Sequence, residues 1–235
     1  MNALRSTAPS LLPWLTATRA RLAPLGLQPL PLDPDLAAAL GGGRLRLRAA
    51  RWQVGEPGLA ECRTVHIVGA SSEIANTLIF PERPERLPMF VADALITGGQ
   101  ARMVFVDLPA PGLDDDLHGP LARDTRDLAE RWGRPIVDAP PDWAIEFSLG
   151  GSLFVRGCNG DEFAALTALH SDYLCRWREA ARRAHAAPSA ATARGADCLQ
   201  RFKQGHLAHW PGTTYLERLF GHEWTHHFLH DFLYR

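Results

Sequence analysis

Hydrophobic and polar positions follow two kinds of pattern along this chain, and the change between them falls near Pro109. Before it the apolar positions recur with a period of two, the signature of strands. In "RLRLRAARWQV" Leu45 and Leu47 alternate with Arg44, Arg46 and Arg48, and "CRTVHIVGA", "EIANTLIF", "LPMFVADALIT" and "ARMVFVDLP" follow at short intervals with turn residues between them. Five consecutive strands are predicted, joined as antiparallel hairpins or a meander. Gly98-Gly99, between two apolar runs, marks the clearest hairpin turn. After Pro109 the spacing becomes helical, over 119–132, 161–186, 196–208 and 213–233, with "AAPSAATARG" as a linker-like break. A short helix is predicted over 9–24, followed by a Pro/Gly-rich connector that ends on Gly41-Gly42-Gly43. Strands first and helices later predict an α+β fold, with helices covering a mainly antiparallel sheet. We read 1–235 as a single domain, with 1–43 as its N-terminal helix and connector, and find no internal repeat.

Composition narrows the function classes. A hydrophobic content of 46% is ample for a large core, and a net charge of −1 argues against a nucleic-acid partner. Cys62, Cys158, Cys175 and Cys198 are scattered without a C-x-x-C pair, which fits reduced thiols and a cytoplasmic setting. No stretch approaches the ~20 apolar residues of a membrane span, and the N-terminus lacks a clean secretory h-region. The expectation is a soluble, unexported protein without a membrane partner, taken as a monomer.

Asp93 is the most informative residue. It lies inside the apolar run "LPMFVADALIT", where a charge is costly to bury unless it is paired, solvated or kept protonated. A desolvated aspartate is a proton donor at neutral pH, and His66, on a neighbouring strand, is its natural partner; the bland alternative is a solvent-facing acid on an open sheet face. Asp107, near a strand end, is read as a turn or cap residue. His206 and His209, three apart on a helix, can share a face with a ligand or lie on the surface. His222-Glu223-Trp224-Thr225-His226 fits the H-E-x-x-H zinc pattern. A third ligand is needed, however, and His230 or Asp231 would extend the row along one helix instead of closing a tetrahedron. No metal is therefore expected. Gly41-Gly42-Gly43 precedes a strand, the wrong order for a phosphate loop, and neither G-x-S-x-G nor G-x-G-x-x-G is present.

Three segments together resemble the ferredoxin-dependent bilin reductases: "LIFPERPERLPMFVADALITGGQARMVFVDLPAPG" at 78–112, "PPDWAIEFSLGGSLFVR" at 140–156 and "YLERLFGHEWTHHFLHDFLYR" at 215–235. The resemblance is distant, reaches from about Arg44 onward and points toward the phycocyanobilin:ferredoxin oxidoreductase branch. It implies a three-layer α/β/α sandwich around an antiparallel sheet, no bound cofactor, and electrons from reduced ferredoxin. Biliverdin IXα would lie between the sheet and the C-terminal helices and be reduced to a phytobilin by sequential electron and proton transfers. In that family His222 and His226 correspond to ordinary helix positions.

On this resemblance Asp93 is the central proton donor and His66 the histidine that contacts the bilin. His206, His209, Phe90, Trp143 and Phe154 are expected to line the substrate, with Phe105 also available. Arg44, Arg46 and Arg48 are candidates for an acidic ferredoxin. Two departures stand out. The strand before that of His66 offers no glutamate, and from Gln200 to Tyr215 there is no acid, so His206 or His209 is the candidate to replace a second proton donor. The competing readings are a red chlorophyll catabolite reductase-like enzyme, a bilin-binding protein without turnover, and, most remotely, a zinc hydrolase.

Overall fold

The computed structural model describes residues 10–34, 36, 46–55, 58–110, 115–132, 142–186, 194–209 and 212–234. The Gly41–Gly43 triplet, Arg44 and most of the "AAPSAATARG" break lie outside them. Seven strands form one sheet in strict sequence order, every neighbouring pair antiparallel: β1 (Leu27–Leu30), β2 (Arg46–Val54), β3 (Leu59–Val68), β4 (Ser72–Pro81), β5 (Phe90–Thr97), β6 (Gln100–Asp107) and β7 (Leu153–Cys158). The five predicted strands are β2 to β6. The two additions are the edges, β1 within the connector and β7 inside "GGSLFVRG".

Helices cover both faces, giving the α/β/α sandwich. On one side lie α1 (Leu12–Leu22), α2 (Asp115–Arg131) and the long α4 (Gly160–Ala186). On the other lie the single turn α3 (Asp142–Ile145), α5 (Arg194–His209), α6 (Gly212–Phe220) and α7 (His222–His227), which runs on into a π-helical segment, Phe228–Leu233. The helix predicted over 213–233 is thus interrupted. Gly221 adopts φ 86, a left-handed conformation that a side chain disfavours, and its N–H closes α6 onto the Glu217 carbonyl at 2.9 Å.

The first face is filled by matching small residues on the sheet to large ones on the helices. Ala75, Ala92 and Ala94 share a fully buried layer with Trp14, Tyr173 and Trp177. The Trp177 indole N–H donates to the Pro88 carbonyl at 2.8 Å, and the Tyr173 hydroxyl to the Gly151 carbonyl at 2.6 Å. Gly151 is required there, because a Cβ would stand 2.6 Å from the Arg126 nitrogen. The long helix α4 starts on a reciprocal capping box: the Glu162 N–H donates to Asn159 Oδ1 at 2.9 Å, and the Asn159 N–H donates to Glu162 Oε2 at 2.8 Å. Gly98 and Gly99, both at positive φ, make the tight turn that sets Thr97 opposite Gln100 and so fixes the β5–β6 register.

Candidate active site

That register decides which side chains meet. Val65, Asn76, Asp93, Phe105 and Phe154 stand directly opposite one another across β3 to β7, and opposed residues point to the same face. Asp93 is 3% exposed and Asn76 2%. The Asn76 amide donates to Asp93 Oδ1. Burial pushes the Asp93 carboxyl up to about 7, and the Asn76 donor acts in the opposite direction by favouring the carboxylate. The acid therefore carries its proton through much of the neutral range and can surrender it there.

A cavity of about 370 Å³ opens in front of Asp93, between the sheet and helices α3 and α5. Leu95, Met103, Phe105 and Phe154 form the sheet wall, and Trp143, Ala144, Phe202 and His206 the helical wall. The exposed side chains of Arg102 and Arg156 stand at the rim. The volume falls within the roughly 300–1,000 Å³ of small-molecule sites, and the lining is of that kind: mostly apolar and aromatic, with a few polar groups. Trp143 is brought close to α5 by Gly205, where a Cβ would lie 3.0 Å from the indole Cε3. His206 meets Trp143 edge to face at 5.5 Å, and burial lowers its imidazole to about 3, so the ring is neutral. Tyr234 packs on His206 with ring centroids 4.8 Å apart.

The structure brings together four of the residues expected at the site, Asp93, His206, Trp143 and Phe154, and separates others from it. His66 lies opposite Ala75, which lies opposite Ala94, on the face away from Asp93. The expected Asp93–His66 partnership is therefore corrected, because the sheet stands between them. Instead His66 Nε2 meets Glu73 Oε1 at 2.7 Å, while the Leu11 N–H donates to Glu73 Oε2 at 3.0 Å, so the pair anchors the start of α1. Phe90 also points away from the cavity, tilted against Trp177 and His170 in the packed layer. His209 is exposed and stacks on Trp143 at 6.1 Å, outside the cavity lining. Arg48 pairs with His66, which puts it and Arg46 on the face opposite Asp93.

Asp107 is more than a turn residue. It is 2% exposed, accepts from Ser148 Oγ at 2.8 Å, and is raised by burial to about 7. His222 and His226 are exposed on the outer helix; His222 Nδ1 meets Glu217 Oε1 at 2.7 Å, and His226 stacks on His230 at 4.0 Å. Among the described residues no group of three metal-ligating side chains is assembled.

Sequence reasoning missed Asn76, Phe202, Arg102, Arg156 and Tyr234. An asparagine among "EIANTLIF" carries a weak signal: a polar amide within an apolar run, one strand before an equally anomalous aspartate.

A central antiparallel sheet with a buried acid facing an aromatic cavity has the form of a small-molecule site with a raised carboxyl in its wall. The sequence matches the family described as ferredoxin-dependent bilin reductase over residues 15–235, and the chain belongs to that family. It is accordingly an oxidoreductase, of a family whose electron donor is ferredoxin. A phycoerythrobilin:ferredoxin oxidoreductase from Synechococcus sp. (strain RCC307) is 26% identical over 243 residues, covering 94% of this chain and 90% of the relative. A crystal structure of phytochromobilin synthase from tomato, in complex with biliverdin, superposes with a TM-score of 0.70 at 17% identity, covering 94% of this chain and 80% of that one. The structure of a protein named PcyX superposes with a TM-score of 0.58 at 15% identity, covering 96% and 98%. No described helix is long and apolar enough to cross a membrane.

Proposed function

We propose that this protein reduces biliverdin IXα to a phytobilin with electrons from reduced ferredoxin, and that Asp93 donates protons to the substrate. The observation that carries the reading is the buried Asp93 carboxyl, raised to about 7 in the wall of an aromatic cavity. Each electron that reaches the pigment adds negative charge and so makes its nitrogen and carbon atoms more basic. Asp93 releases its proton to that charge and takes another from solvent before the next electron arrives. Two electrons and two protons then saturate one double bond.

The remaining groups bind and orient. Asn76 donates to Asp93 Oδ1 and so fixes the carboxyl, leaving Oδ2 to carry the proton. Phe105, Phe154 and Trp143 offer π-faces to a long conjugated ligand. Arg102 and Arg156, at the rim, suit the substrate's propionates, because a guanidinium fork matches a carboxylate. His206, the sequence's candidate for a second proton donor, is kept neutral by burial, so in this reading it offers the substrate a hydrogen bond without bringing a charge.

The test is an anaerobic absorbance time course with biliverdin IXα, reduced ferredoxin and a regenerating system, followed by chromatography of the pigment. The wild type is expected to convert the pigment, and Asp93→Asn to bind it without conversion. Wild-type turnover in Asp93→Asn would remove Asp93 from the mechanism, and pigment binding without electron-dependent change in the wild type would remove the reductase reading for this substrate.

A further inference from the structure

A glycine inside α5 has no backbone reason to be there. Gly205 lies within the helix and is not one of the glycines at positive φ, and a helix interior is less stable with glycine than with alanine. Its reason is the space above it. A Cβ at this position would stand 3.0 Å from Trp143 Cε3, 3.6 Å from Cζ3 and 3.8 Å from Cδ2, so the six-membered ring of the indole rests on the bare backbone of α5.

Shape alone holds the ring in that notch. Phe202, His206 and His209, which frame Gly205 on the helix surface, lie at centroid distances of 6.1, 5.5 and 6.1 Å from it. The buried indole Nε1 finds no hydrogen-bond partner among the described residues, so no polar bond fixes the ring against displacement. The chain beside it is anchored: just past α3, Glu146 Oε1 accepts from Arg201 Nη1 on α5 at 2.9 Å. The indole is therefore the part that can yield, and it forms part of the cavity wall.

We propose that Gly205 sets the width of the cavity. The notch it leaves in α5 recesses the Trp143 indole from the sheet wall, where Asp93, Phe105 and Phe154 stand, and a side chain in the notch drives the ring into the space that the pigment takes. Gly205 is thus a positioning residue that acts through Trp143, and it weakens its own helix to do so. This rests on the reading that biliverdin binds in this cavity. The movement that an alanine demands is small: at 3.0 Å the ring must give by a few tenths of an ångström, and a cavity of about 370 Å³ leaves it room. The free protein therefore accommodates Gly205→Ala. The cost appears when pigment and indole compete for one space, because a filled site resists overpacking.

Gly205→Ala is expected to show a Tm equal to or above that of the wild type, alanine being the better helix former, while Kd for biliverdin in an absorbance titration and KM in turnover both rise about tenfold. At saturating pigment kcat should stay within about threefold, because Asp93 belongs to the sheet wall and keeps its place. Trp143→Phe lacks the Cε3 and Cζ3 atoms that meet the new methyl. In that background the alanine should lose its effect, so that the double variant binds biliverdin within about twofold of Trp143→Phe alone. A Gly205→Ala protein whose Kd stays within about twofold of the wild type overturns the inference. So does a rise that persists in the Trp143→Phe background, since the indole is then not the intermediary, and so does a Tm clearly below that of the wild type, since the ring then has nowhere to go. Wild-type protein that binds no biliverdin would remove the premise; wild-type binding beside an unaffected Gly205→Ala strikes this inference alone.

Discussion

On one side of β5, Ala92 and Ala94 share a layer with Trp14, Tyr173 and Trp177 that leaves them no exposed surface; on the other, Asp93 and Leu95 meet a cavity of about 370 Å³. The same alternation serves both. On the packed face, small sheet residues receive large helical ones and the space closes to the density of a protein interior. On the open face, Phe105 and Phe154 rise from the sheet toward Trp143 and Phe202, and large groups on both walls hold the layers apart. Asp107 sharpens the contrast. Burial raises it as far as Asp93, but Asp107, with Oδ1 held by Ser148, stands outside the cavity lining, while Asp93 opens onto the cavity. A raised carboxyl marks a site only where there is room for something to take its proton.

Substitutions on the two faces should fail in different ways. The largest effect is expected for Asp93→Asn, a loss of about two to four orders of magnitude in turnover with pigment binding retained, against a change within about threefold for Asp107→Asn, both read from the anaerobic time course. Next, Trp177→Ala on the packed face should cost about 3–5 kcal/mol in chemical denaturation, since it leaves a void and frees the Pro88 carbonyl. Phe154→Ala, already beside empty space, should cost less than that and show instead as weakened biliverdin binding. Equal stability losses for these two would erase the distinction between the faces.

A third test uses pH. Asp107 rises from 3.8 to about 7 on folding, so the folded state holds its proton more tightly than the unfolded one. Its contribution to stability is full below about pH 4 and lost as pH rises through about 7. His170 and His206, lowered to about 3, oppose this only below 6.5, where the unfolded state takes up their protons first. Between pH 6.5 and 8 the buried carboxyls dominate, and denaturation midpoints should fall in the wild type but less steeply in Asp107→Asn. The smallest effect is expected for His66→Ala: about 1 kcal/mol or less from the lost Glu73 pair, and unchanged turnover. A large loss of turnover would return His66 to the chemistry in spite of its face.

The fold was largely legible because period-two alternation and the Gly98-Gly99 turn are local signals. The two strands that escaped, β1 and β7, are edges, one bearing Pro29 and the other flanked by glycines, both of which dilute strand character. At the site, Asp93 was readable as an anomaly within one strand. Its partner was not. Alternation says which residues of a strand share a face but nothing about the next strand until the register is known, so His66 was placed beside Asp93 and Asn76 was overlooked. Tyr234 escaped for a related reason: a continuous 3.6-residue pattern over 213–233 conceals both the break at Gly221 and the π-helical turn that brings the phenol to His206.

The strict sequence order of the seven strands also bears on how the molecule assembles. Each strand from β3 to β6 pairs with the one made just before it, so sheet growth there proceeds by short loop closures that cost little chain entropy. Contacts such as that between Arg63 and Phe232, 169 residues apart, close by far longer excursions. The wall that carries His206 and Tyr234 is therefore expected to condense after the sheet, with low φ-values beside those of β3 to β6. Substitutions in the helical wall should then accelerate unfolding and leave the folding rate nearly untouched.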